Sequence, residues 1–286
     1  MQTNPGCETR PSLEPGAKDA GLYLYCFTRS EAVREIGSAA MKEGQRLGAI
    51  EVGGVAAVFS PVPLAEFGEE GGRKNFQDPA WVVPRACRHD RVIRRVMEFS
   101  PVLPVRFGAV FTSPEFIQDQ LAKNGPEISW FLDHISNKEE WSVKAYGHLE
   151  KTGAWLLRTD PELARKRRRA PASPGARYLH DRHLAVQAAR QARQVWRSAA
   201  DGLREDLAGH ALKLCPLPLR RRNPSEREDE MIFHSAFLLD CECVTDFRAR
   251  VESMEADLRE RGLTVEACGP WPPYNFCPSI AVEGAA

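Results

Sequence analysis

The chain has 286 residues, with 39 lysines and arginines balanced by 39 aspartates and glutamates, so overall charge gives no reason to expect nucleic acid or an anionic membrane as partner. Its length is enough for two domains that each bury a core. No apolar run approaches the roughly 18 residues needed to cross a bilayer. Residues 1–20 are polar and contain no apolar core, which predicts a disordered leader, not a signal peptide, and a cytoplasmic protein.

The first predicted strand is Leu22–Phe27, followed by a helix over Ser30–Met41 with Ser30 as its N-cap. Gly53-Gly54 separates two short apolar runs, Ala49–Val52 and Val55–Ser60. Paired glycines supply the positive φ angles of a two-residue hairpin turn, so these runs are predicted to pair as antiparallel strands.

Asp78-Pro79 predicts the start of a second helix, because aspartate caps a helix and proline suits its first turn. Pro84 is expected to delay or kink this helix. Apolar residues recur at steps of three and four along it, and His89 lies on that apolar face. A polar group in such a place needs a partner, so His89 is predicted to be a hydrogen-bonded core histidine.

The stretch Ser100–Phe111, SPVLPVRFGAVF, predicts a buried strand over 102–111. Arg106 interrupts its apolar run, and a charge there must be paired, bound to a partner or carried to the surface. Gly108 permits a bulge that would re-aim the arginine. Two interpretations stay open, a structural ion pair and a binding residue.

The rest of the chain repeats the order of the first part. Helical segments are predicted at Pro114–Lys123 and Pro126–Ile135, and a strand at Glu140–Tyr146. The later predicted elements are, in order, a basic linker over Arg158–Pro174, a helix over Gly175–Gly209, strands over Ala211–Leu219 and Met231–Leu239 around the charged loop 220–230, a helix over Val244–Arg261 and a strand over Leu263–Cys268.

These elements predict an α+β protein of two tandem ferredoxin-like (βαββαβ) modules, antiparallel sheets with helices packed on one face, joined by a helical connector. The expected boundaries are a leader at 1–20, a first domain at 21–112, the connector at 113–138, a second domain at 139–278 and a tail at 279–286.

Eight cysteines contain no C-x-x-C pair, and most lie in apolar runs, so we expect reduced thiols. Cys241 and Cys243 near His234 lack a second ligand pair, and no metal or cofactor is predicted. The phosphate-loop, dinucleotide and hydrolase motifs are absent from the sequence, and we expect no enzymatic activity.

Residues 158–222 hold 16 lysines and arginines against six acidic residues, which indicates a strong internal charge asymmetry. This segment could be a solvated helix face, or it could bind an acidic protein surface, including that of a second copy of the chain. Nucleic acid is a weaker alternative, because the predicted strands lack the aromatic pattern of RNA-binding sheets.

The proline-rich run Gly269–Pro278, GPWPPYNFCP, cannot form regular helix. Its three aromatic residues, Trp271, Tyr274 and Phe276, are expected either to fold back over the core or to be exposed as interface anchors.

Three of these stretches carry a resemblance to a known family. Ser100–Phe111, the helix start Asp78–Asp90 and the run Gly269–Phe276 are similar, in the same order, to motifs of the gas vesicle accessory proteins of the GvpL/GvpF family. The chain departs from the family pattern at Asp90, Ala109 and Asn275.

The resemblance implies a non-enzymatic part in assembling gas vesicles, with the hydrophobic major shell protein and other accessory proteins as partners. It makes Arg106, Phe107, Trp271, Tyr274 and Phe276 the candidate protein-binding residues. A small-ligand regulatory module and an RNA-binding protein are the alternative functions.

Overall fold

The computed structural model describes residues 20–42, 47–68, 72, 74–219 and 229–278. The predicted leader (apart from residue 20), most of the charged loop 220–230 and the predicted tail lie outside the described residues. The chain divides into two compact units, one running to Ser136 and including the segment from Pro272 onward, the other spanning Asn137–Trp271. None of the helices in the described ranges is both long and apolar enough to span a bilayer.

The first unit is built on an antiparallel sheet with the strand order β2-β3-β1-β4, and β5 also pairs with β1. This is the order of a βαββαβ module and agrees with the predicted fold class. Its elements are β1 (Ala20–Arg29), a 3₁₀ turn (Ser30–Ala32), α1 (Val33–Lys42), β2 (Gly48–Val52), β3 (Val55–Pro63), α2 (Leu64–Phe67), α3 (Pro79–Met97), β4 (Val102–Pro104), β5 (Val110–Phe111) and α4 (Pro114–Ile135).

Local sequence signals account for several of these bounds. Gly53 and Gly54 adopt φ angles of 59° and 84°, as the hairpin prediction required. Asp78 caps α3 by accepting a hydrogen bond from the Ala80 N–H at 2.9 Å, while Pro84 lies inside the helix. Ser30 is not an N-cap, because it lies within the 3₁₀ turn that precedes α1.

The segment predicted as a helical connector is helical, but it is not divided into two helices. Instead of two helical segments there is one helix, α4, with Pro126 inside it. Helix α4 belongs to the first unit, where it contacts β1, β2, β3 and β4. The helix buries a full apolar face, so the cost of one missing backbone hydrogen bond at proline is offset by packing.

The second unit repeats the arrangement, with an antiparallel sheet in the order β7-β8-β6-β9. Its elements are β6 (Lys138–His148), α5 (Leu149–Thr159), α6 (Pro161–Arg168), α7 (Pro174–Ala208), β7 (Lys213–Pro216), β8 (Asp229–Asp240), a 3₁₀ turn (Cys241–Cys243), α8 (Val244–Arg259) and β9 (Leu263–Trp271).

The predicted basic linker is mostly helical. Asp160 is the N-cap of helix α6, and its carboxylate accepts a hydrogen bond from the Leu163 N–H at 2.8 Å. The same Asp-Pro signal that identified α3 therefore occurs here. Leu163 packs into a small apolar cluster with α5 and the N-terminal half of α7, which anchors an otherwise charged helix.

The core of the second unit lies between the sheet and helices α7 and α8. Helix α7 contributes one continuous buried face, formed by Leu184, Ala188, Ala192, Trp196, Ala200, Leu203 and Leu207. Gly262, at φ 76°, follows the end of α8 in the left-handed conformation that favours glycine.

Candidate functional site

The predicted strand 102–111 is broken into β4 and β5 by a loop, Val105–Ala109, here called the RFG loop. Strand β1 holds both ends of this loop, because Val105 N–H donates to the Tyr25 carbonyl and Leu24 N–H donates to the Ala109 carbonyl, each at 2.9 Å. Gly108 adopts a φ of 93°, and a Cβ there would lie 2.8 Å from the Phe76 ring. The chain therefore turns at a position that suits only glycine.

A buried hydrogen-bond chain fixes the RFG loop from inside. His89 Nε2 lies 3.1 Å from the Val105 carbonyl, which only accepts, so Nε2 carries the proton and donates. Nδ1 of His89 then accepts from the Tyr23 hydroxyl at 2.9 Å. The Tyr23 oxygen in turn accepts from the Gly108 N–H at 3.1 Å. Two side chains thus hold both sides of the loop.

Burial sets the protonation states that this chain needs. It raises the pKa of Tyr23, so the hydroxyl keeps the proton that it donates. Burial also lowers the pKa of His89 to about 4, against the opposing effects of the Val105 carbonyl and Asp90. His89 is neutral at pH 7, as the single-donor arrangement requires. The prediction of a hydrogen-bonded core histidine is confirmed.

Aromatic rings surround the Tyr23–His89 pair and extend to the surface. Phe107 packs edge-on against His89, with ring centroids 5.8 Å apart, and at the same centroid distance against Phe76. Phe76 also packs edge-on against Trp81, with ring centroids 5.5 Å apart, and Phe76 is 42% exposed. Phe76 could not be identified from the sequence, since it lies in a stretch with no periodic signal.

Arg106 is not a member of this aromatic cluster. It is exposed, and the described part of the chain supplies no ion-pair partner for its guanidinium. The structure therefore disagrees with the interpretation of Arg106 as a structural ion pair within a core strand. The arginine is carried to the surface at the end of β4, beside Phe107.

A cleft of about 210 Å³ lies beside the aromatic cluster. Arg85 stands at this cleft, 2.6 Å from the Glu66 carboxylate and stacked 4.2 Å over the Trp81 ring. The cleft is smaller than the roughly 300–1,000 Å³ common for small-molecule sites. Its lining residues are Tyr23, Tyr25, Pro61, Val62, Pro63, Glu66, Phe67, Arg85 and Arg88.

The three aromatic residues of the C-terminal run have different environments. Trp271 is half-buried at the end of β9, and its indole N–H donates to the Cys268 carbonyl at 2.8 Å. Phe276 is half-buried, whereas Tyr274 is 40% exposed. Partial burial and the carboxylate of Asp90 on α3 raise the pKa of Tyr274. The run therefore combines both expected behaviours, one internal anchor and one exposed ring.

The cysteines offer no metal site within the described ranges. Seven of them form no disulfide there, and no cluster of three or more histidine, cysteine or acidic side chains in those ranges could hold an ion. Cys7 lies outside those ranges.

Comparison with known proteins identifies the family. The model of the gas vesicle synthesis protein GvpL/GvpF family matches residues 21–278. The chain belongs to the GvpL/GvpF family. Gas vesicle protein L of a Streptomyces species is 26% identical over 271 residues, which cover 91% of this chain and 94% of that protein. Gas vesicle protein L2 of Halobacterium salinarum is 25% identical over 272 residues, covering 92% and 93%.

Crystal structures of the gas vesicle protein GvpF share the fold of this GvpL/GvpF chain. That of Anabaena gives a TM-score of 0.60 at 19% identity, covering 91% of this chain and 96% of the other. That of Microcystis aeruginosa gives 0.56 at 18% identity, covering 90% and 98%. The family resemblance noted in the sequence is confirmed, and membership implies a role in gas vesicle assembly.

Proposed function

We propose that this protein is a non-catalytic adaptor that binds the hydrophobic major shell protein of the gas vesicle, in the cytoplasm, while the vesicle is assembled. The RFG loop, together with Phe76 and Tyr274, is the proposed contact surface. The observation that carries the proposal is the presentation of Arg106 on a loop whose two sides are fixed from within by Tyr23 and His89.

The chemistry of this surface suits protein recognition. Arginine and large aromatic residues dominate the binding energy of many interfaces, because they combine apolar area with directed polar contacts. Here Phe76 is 42% exposed and packs against Phe107, whose chain neighbour Arg106 has no ion-pair partner in the described ranges. A fixed loop also loses little conformational entropy when a partner binds.

Trp271 and Phe276 stay proposed contact residues, with a smaller role. Each is half-buried, and the Trp271 indole N–H is already used within the second unit. Either side chain would contribute through the exposed part of its ring. Other accessory proteins, or a second copy of this chain, are further proposed partners of the same assembly.

The alternative of a small-ligand module has less support. The cleft next to the RFG loop is small, and its Arg85 is already engaged by Glu66 and Trp81. A metabolite retained through native purification would favour that alternative over an adaptor.

A binding assay with the purified shell subunit tests the proposal. Arg106→Ala should weaken binding by about tenfold, the usual scale for an interface arginine. Arg34→Ala is the matched control, because Arg34 is an exposed arginine of the same unit on α1. Equal binding by the wild type and Arg106→Ala would remove the RFG loop from the interface.

A second variant tests whether binding depends on the fixed conformation of the RFG loop as well as on the Arg106 side chain. Tyr23→Phe keeps Arg106 but removes the hydrogen bonds to His89 and Gly108. We expect it to weaken shell binding while the protein stays folded. Full binding by this variant would show that fixing the loop is unnecessary.

A further inference from the structure

The long helix α7 of the second unit has an exposed side. Its buried face is directed to the core. On the opposite side, steps of three and four residues join six exposed side chains, here called the α7 stripe: Leu179, Arg182, Val186, Arg190, Arg193 and Arg197. From Arg182 to Arg197 the stripe runs about 22 Å, at 1.5 Å per residue.

The four arginines of the α7 stripe have no hydrogen-bond or ion-pair partner within the described ranges. Other charged residues near them do pair internally, as Lys166 does with Glu162 at 2.7 Å and Arg204 with Asp201 at 2.9 Å. Like charges three or four positions apart destabilise a helix. The stripe is thus a cost to the isolated chain that an acidic partner would reverse.

Two aliphatic residues in the stripe favour a protein helix over a nucleic acid as the partner. Leu179 is 65% exposed and Val186 is 64% exposed, and they lie one heptad apart, with Arg193 one heptad further. A heptad spacing is the repeat at which a second helix lies along the first. A nucleic-acid backbone offers phosphates but no aliphatic counterpart for Leu179 and Val186.

We propose that the α7 stripe binds an acidic amphipathic helix of a partner protein. The aliphatic side of that helix would cover Leu179 and Val186, and its carboxylates would face Arg190, Arg193 and Arg197. Basic residues in the last turn of α6, such as Arg165 and Arg168, extend positive charge near the N-terminal half of α7. This proposal goes beyond shell-protein binding, because it concerns a different surface in the other unit.

The test uses the full chain and a synthetic probe, a labelled helical peptide of about three heptads with leucines at one heptad position and glutamates flanking it. Fluorescence anisotropy should show binding that Arg190→Glu with Arg193→Glu weakens by about tenfold or more. Leu179→Ala with Val186→Ala should also weaken it. Because these side chains are exposed, all variants should keep the wild-type thermal unfolding midpoint.

A charge-matched control keeps the result specific. Arg34→Glu with Arg261→Glu makes the same change in net charge at exposed positions that do not belong to α7 and should bind the probe normally. Absence of probe binding, or an equal loss in this control, would overturn the proposal. Tighter stripe-dependent binding of a single-stranded RNA oligonucleotide, with a steep salt dependence, would assign the surface to nucleic acid instead.

Discussion

The Tyr23 hydroxyl donates its proton to His89 Nδ1 at 2.9 Å, which joins strand β1 to helix α3 beneath the RFG loop. The same oxygen accepts from Gly108, and the other nitrogen of the imidazole donates to Val105. Both residues are buried, with 4% exposure each. A core hydrogen-bond pair therefore determines the shape of an exposed loop.

Removal of the Tyr23 hydroxyl should destabilise the first unit. Tyr23→Phe leaves His89 Nδ1 and the Gly108 N–H without their partner, and an unsatisfied buried polar group costs about 1–3 kcal/mol. Urea unfolding measures the change in unfolding free energy. Tyr178→Phe is the control, since Tyr178 is 64% exposed and should change stability by less than about 0.5 kcal/mol. Equal effects in both variants would contradict this account of the pair.

Stability should fall with pH below neutrality because of His89. Its folded pKa of about 4 lies below the ordinary 6.5, so the unfolded chain binds more protons between these values. The contribution of neutral His89 to the free energy of unfolding is fully present above about pH 6.5. It is lost as the pH falls towards 4, by up to about 3 kcal/mol. Denaturant unfolding at pH 7 and pH 4.5 measures it. A His89→Gln variant should lose less unfolding free energy between pH 7 and pH 4.5 than the wild type. An equal loss in both proteins would rule out His89 as the source of the pH dependence.

Two glycine-to-alanine changes should have opposite signs. Gly108→Ala forces a residue with a side chain into φ 93° and into the Phe76 ring, which should cost about 1–3 kcal/mol. Gly37→Ala lies within α1, where an added Cβ meets nothing within 4 Å, so it should stabilise by about 0.5–1 kcal/mol. Thermal unfolding of both variants checks the signs. A stabilising Gly108→Ala would mean that the loop does not need glycine.

The second unit depends on a buried indole. Trp196 Nε1–H donates to Thr152 Oγ1 at 3.0 Å, and Gly147 leaves no room for a Cβ against this ring. Trp196→Phe should lower the unfolding free energy by about 1–3 kcal/mol. Trp130→Phe is the control, because Trp130 is 62% exposed and should be near neutral. Similar unfolding curves for both variants would contradict the role assigned to Trp196.

Much of the fold followed from local signals that have one physical meaning. Gly53-Gly54, Asp78-Pro79 and Gly262 each mark a backbone conformation that few other residues satisfy, and the structure uses all three. Proline was less informative. Pro126 suggested two helices where packing maintains one, and the charged sequence around Asp160-Pro161 hid a helix start that the same rule would have found.

The site was only partly readable from sequence. Arg106 and Phe107 stood out because a charge interrupts an apolar run. Phe76 had no such signal, and its place beside Gly108 depends on a tertiary contact between distant segments. The α7 stripe was visible as a charge excess, but its separation from the buried face required the exact rotation of the helix.

Site-specific photo-crosslinking is the most direct test of the adaptor proposal. A photoreactive phenylalanine derivative replaces Phe76, which packs against Phe107 of the RFG loop, in one variant and Arg34 in the other, so that Arg106 is kept in both. Each variant is mixed with the shell subunit and irradiated, and mass spectrometry should find shell-subunit peptides joined to position 76 and not to position 34. Crosslinks at both positions alike, or at neither, would contradict binding through the RFG loop.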